Sequence, residues 1–133
     1  MGALASGLIA TAGPAAADGG GCSDKAVFFK YALRACIDLD TRTDPPRGLV
    51  PYVHIYLEDG HSPCRVNIRI VGPGGLNELR QKDCPSGGVS DTTFDGAIQS
   101  LGSLRAGTYQ TFASIERLSD HLKLNASSPA YNA

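Results

Sequence analysis

The side chains with chemistry to offer are four cysteines, three histidines and a short run of aspartates. Cys22, Cys36, Cys64 and Cys84 contain no C-x-x-C pair, the spacing that zinc sites favour. An even number of cysteines in a short chain reads instead as a disulfide framework. Three pairings are open. The sequential one, Cys22–Cys36 with Cys64–Cys84, closes two local loops, each worth about 3 kcal/mol by chain entropy. His54, His61 and His121 have no serine or cysteine nearby in a recognised nucleophile setting. Asp38, Asp40 and Asp44 gather hard oxygen ligands of the kind calcium takes. The same three also read as a polar strand edge and turn, partly neutralised by Arg42. The chain carries no G-x-S-x-G, H-E-x-x-H or P-loop motif. No catalytic residue, metal or cofactor is therefore assigned, and the expected role is non-catalytic.

Composition narrows the partners. With 12 basic and 13 acidic residues in 133, the net charge is −1. That balance offers no basic footprint for nucleic acid and no polybasic patch for a membrane. The length suits one domain. Sixteen glycines and eight prolines favour a turn-rich all-β chain over a helical one. Residues 3–12 form a small apolar stretch, and Ala15, Ala16 and Ala17 before Asp18 match a signal-peptide cleavage pattern. The alternative, an alanine-rich first helix, is interrupted by Gly7, Gly13 and Pro14. The expected organisation is a signal peptide over 1–17, lacking a basic start, then a flexible tail over 18–26. A secreted, extracellular domain follows over 27–133.

The elements that would position these residues alternate with period two. Val27, Phe29, Tyr31, Leu33, Ala35, Ile37 and Leu39 share one face of a long first strand, long enough to need a bend. Cys36 falls on its polar face, where a bridge would pin the tail across the outside of the sheet. The "TRTDPPRG" stretch breaks this strand. A second strand spans 49–58, with Val53, Ile55 and Leu57 opposed to Tyr52, His54 and Tyr56. A third spans 64–71. Folding about Gly74 sets Cys64 opposite Cys84, yet the same register sets Val66 opposite Lys82. A bulged or irregular segment is therefore expected over 76–83. Leu104, Gly107 and Tyr109 have the spacing of a tyrosine corner, in which the hydroxyl bonds to upstream backbone. A last strand is expected over 118–125, with Leu122 and Leu124 inward. The sum is an antiparallel, immunoglobulin-like β-sandwich with disulfides.

The first strand "YALRACIDLD", Cys64 inside a strand, and "LRAGTYQTFASIE" before the final strand carry a resemblance. The chain resembles small exported actinobacterial sandwich proteins. One type is the small adaptor subunit of umbrella-shaped secreted toxin particles. The resemblance implies a protein that bridges a lectin-like subunit and a stalked toxin subunit by inserting extended segments into partner clefts. Residues 18–31 would be the inserting arm, with Val27, Phe28, Phe29 and Tyr31 as the partner-binding residues. Independently, Val27 to Phe29 is apolar on both faces and could pair with another chain. A second class stays open. A secreted protease inhibitor would use the segment between Cys64 and Cys84, with Arg80 as the specificity residue.

Overall fold

The computed structural model describes residues 19–40 and 47–133. The expected signal peptide over 1–17, Asp18 and Asp44 lie outside them. The described residues form two antiparallel sheets packed face to face. In the first sheet, β3 (Tyr31–Leu39) pairs with β4 (Gly48–Leu57), and β4 with β7 (Ser90–Asp95). Two short strands, β1 (Gly21–Cys22) and β2 (Ala26–Phe28), share the outer edge of β3, and β8 (Gln99–Ser100) pairs with β4. The second sheet runs β10 (Lys123–Ser127), β9 (Thr108–Arg117), β5 (Cys64–Gly72), β6 (Leu76–Asp83). A final short strand, β11 (Tyr131–Asn132), also pairs with β9. This is the sandwich arrangement of immunoglobulin-like domains.

Alternation builds the core. Leu33, Ala35, Ile37, Val53, Ile55 and Leu57 from the first sheet meet Val66, Ile68, Ile70, Ala113 and Ile115 from the second, all buried. Each large aliphatic side chain so buried contributes about 1.5–3 kcal/mol. Both sequential disulfides form, Cys22–Cys36 and Cys64–Cys84. Two disulfides in so small a domain fit an oxidising, extracellular compartment.

The structure corrects the expected first strand. A two-residue turn at Phe29–Lys30 folds it into a hairpin, with Phe28 opposite Tyr31 and Val27 opposite Ala32. The turn shifts the phase by one residue. Phe28 now shares the core face with Tyr31, while Val27 and Phe29 are exposed. The expected tail is likewise part of the sheet edge from Gly21 on. Gly21 pairs with Ile37 and Cys22 with Cys36, so the bridge joins neighbouring strands instead of crossing the face.

Segment 76–83 is also a regular strand, with Val66 opposite Lys82 as the register requires. The expectation of irregularity assumed that every inner-face residue is buried. At this edge Glu78, Arg80 and Lys82 share the inner side and still reach water. Inward charges on an edge strand discourage pairing with another chain. Leu122, expected inward, is exposed. A turn over residues 118–120 lies before it, and β10 begins one residue beyond it.

Both strands on the opposite flank are interrupted by the same device. The Ser23 amide donates to Ala35 O, and its Oγ accepts from Ala35 N at 3.1 Å. The Ser128 amide donates to Thr111 O, and its Oγ accepts from Thr111 N at 2.9 Å. Each hydroxyl replaces a backbone carbonyl in the ladder, so the chain can leave the sheet with no buried amide orphaned.

Candidate functional site

The hairpin of β2 and β3 gathers three of the four expected partner-binding residues at one corner. Phe28 is half-buried against the core, with the Arg117 guanidinium 5.9 Å from its ring centroid. Phe29 sits edge-on to Phe28, with centroids 4.5 Å apart. It is 73% exposed, and Val27 is 62% exposed. Tyr31 is different. It is 5% exposed, and its hydroxyl donates to Ser62 O at 3.1 Å, so it supports the corner from inside and offers no contact surface.

Phe29 takes φ +48°. For an L-residue with a bulky side chain this left-handed conformation costs about 1–2 kcal/mol, and glycine or asparagine is usual there. The position thus combines backbone strain with an exposed aromatic ring.

The remaining candidates lie elsewhere. Tyr109 is 2% exposed. Its hydroxyl accepts from Arg105 N at 2.7 Å and donates to Arg105 O at 3.2 Å. Gly107 reaches φ +140° on the way into β9, and Leu104 packs against the tyrosine's cluster. Gly72 faces the same ring. A Cβ there would lie 2.5 Å from Tyr109 Cδ2, so only glycine lets the ring seat.

Asp38 and Asp40 are engaged within the protein. Asp38 accepts from Gly21 N at 3.0 Å and from the Tyr52 hydroxyl at 2.8 Å. Burial, reinforced by the Asp38 hydrogen bond and charge, pushes the Tyr52 phenol up to about 12. Asp40 is buried and paired with Arg47. Among the described residues, no group of three or more potential ligands is arranged to hold a metal. His54 pairs with Asp91, and His121 Nδ1 donates to Glu116 at 3.0 Å. That hydrogen bond holds the Glu116 carboxyl below its ordinary range. His61 Nδ1 lies 3.1 Å from Ser62 O. Among the described residues no serine hydroxyl bonds a histidine ring, and the four cysteines are consumed in disulfides. Arg80 lies in mid-strand on β6, opposite Ile68, away from the tight Pro73–Gly75 turn.

Sequence reasoning missed the outer face of the second sheet. There Asn67, Ser114, Gln81 and Asn125 share one row across four strands. The available signal was the alternation of β9, whose polar phase holds Gln110, Ser114 and Glu116. No family model, curated protein or solved structure matches the chain.

Proposed function

We propose that this is a secreted, non-catalytic binding domain that engages a protein partner through the Phe28–Phe29 hairpin, as an adaptor linking subunits of a secreted toxin complex would. Phe29 carries the reading. Glycine at that turn would remove both the strain and the apolar exposure, so stability alone does not account for phenylalanine. A strained residue at a surface tip is the kind of feature that serves contact. Exposed aromatic anchors dominate binding energy at protein interfaces. Because Cys22 is bonded to Cys36, the inserting element is the braced hairpin tip, not a loose arm. Arg80, lying within a regular strand, lacks the projecting loop that an inhibitor would present.

The test uses the disulfide-bonded domain as bait in the culture fluid of the organism that makes it. The wild-type domain is expected to retain a defined secreted protein that Phe29→Gly loses, while the variant melts no lower than wild type. Equal capture by both would sink the hairpin reading. Tight inhibition of a trypsin-like protease, abolished by Arg80→Ala, would favour the inhibitor instead.

A further inference from the structure

The outer face of the second sheet is a shallow polar groove of about 280 Å³. Its middle row is Asn125, Ser114, Asn67 and Gln81, one residue from each of β10, β9, β5 and β6. Gln81 Nε2 donates to Asn67 Oδ1 at 2.8 Å, and Asn67 Nδ2 donates to Ser114 Oγ at 3.0 Å. On one side the row Lys123, Glu116, Arg65 and Asp83 alternates in sign. On the other, Ser127, Phe112, Arg69 and Leu79 combine an aromatic ring with a guanidinium. Phe112 is 41% exposed. Four strands at their usual spacing make the face about 14 Å wide.

We infer that this face binds a neutral oligosaccharide. A pyranose presents an apolar C–H face and a rim of hydroxyls that both donate and accept. Phe112 offers the stacking surface. The Asn125 amide has no hydrogen-bond partner among the described residues, and it presents a donor and an acceptor together. Lys123 and the N–H groups of Arg69 beyond the one held by Asn77 add donors at the rim, and Glu116, hydrogen-bonded to His121, adds an acceptor. The amide chain already joining Gln81, Asn67 and Ser114 fixes these groups before a ligand arrives, which reduces the ordering cost of binding. The alternating charges of the flanking row largely cancel, and this favours an uncharged chain over a polyanion. The opposite sheet offers less, because its outer-face Tyr52 hydroxyl is committed to Asp38.

The experiment is calorimetric titration of the intact disulfide-bonded domain. Cellohexaose, xylohexaose, mannohexaose and N-acetylchitohexaose serve as neutral probes, and hexagalacturonate as the charged one. At least one neutral probe is expected to bind with Kd of about 1 mM or tighter. Phe112→Ala and Asn125→Ala should each weaken it about tenfold with unchanged melting. Phe29→Gly should leave it unaltered, which separates this site from the hairpin. Failure of every neutral probe would overturn the inference. So would binding that survives Phe112→Ala, or binding of hexagalacturonate alone.

Discussion

Two corners of this sandwich place an aromatic residue beside an unusual backbone conformation, and they do opposite things with it. At the start of β9, Gly107 takes φ +140°, and Tyr109 turns inward with its hydroxyl doubly bonded to Arg105. At the β2–β3 turn, Phe29 itself takes φ +48° and turns outward. The first corner gives the unusual φ to a residue that tolerates it, and uses the aromatic ring to lock the fold. The second gives it to a residue that does not, and leaves the ring in water. Conformational cost and packing gain coincide with folding at Tyr109. They diverge at Phe29, and the proposed contact role of the exposed corner rests on that divergence.

The largest test of this contrast is at the buried corner. Tyr109→Ala should cost about 3–5 kcal/mol, as other deletions of buried aromatic rings do. Tyr109→Phe should cost about 1–3 kcal/mol, because the Arg105 amide loses its acceptor. Urea unfolding midpoints would measure both. A neutral Tyr109→Phe would show that the ring alone does the locking.

Next comes the brace behind the exposed corner. The Cys22–Cys36 bond spans 14 positions and encloses the hairpin. Replacing both cysteines with alanine should cost about 3 kcal/mol. A loss below about 1 kcal/mol would mean that edge pairing and the Ser23 bonds hold the hairpin unaided.

Phe29→Gly reverses the sign. Removing the left-handed strain should stabilise the domain by about 1 kcal/mol, read as a rise in melting temperature. A fall would show that the edge contact with Phe28 carries more than the strain costs, and the two corners would then differ less than their geometry implies.

The smallest effect concerns pH. The Tyr52 phenol is raised from its ordinary 10.0 to about 12, chiefly by burial and then by Asp38. The folded domain therefore holds this proton more tightly than the unfolded chain. The associated stability is complete below pH 10 and falls away as pH rises through 12. Ultraviolet titration should show Tyr52 ionising late, and Tyr52→Phe should remove that late step. An unchanged curve in the variant would detach Asp38 from the phenol.

The parts legible in sequence are those where period two coincides with one buried face. β4, β5 and β9 alternate cleanly because each is a central strand with the opposite sheet beneath it. The disulfide pairing was legible because short loops close most readily. The turn at Phe29–Lys30 was not, because it has neither glycine nor asparagine, and the exposed Val27 and Phe29 are themselves apolar, so in sequence they continue the alternation of Tyr31 and Leu33 although the turn shifts the phase. β6 was obscured because charges on an edge strand reach solvent from either face. Ser23 and Ser128 give no warning of their roles, since a serine suits almost any position. The amide row on the second sheet was hidden for another reason. Its members come from four strands, and only the register brings Asn67, Gln81, Ser114 and Asn125 together.

The Cys22–Cys36 bond also bears on durability. The most exposed peptide in this edge, around Phe29 and Lys30, lies inside the loop that the bond closes. A protease that cuts there severs the chain without separating the pieces. Residues 19–29 remain covalently attached to β3 through the sulfur bridge at Cys22, and Gly21 remains opposite Ile37. A single nick at the tip would alter the proposed contact surface and leave the molecule whole, so reducing and non-reducing gels of a clipped sample would tell different stories.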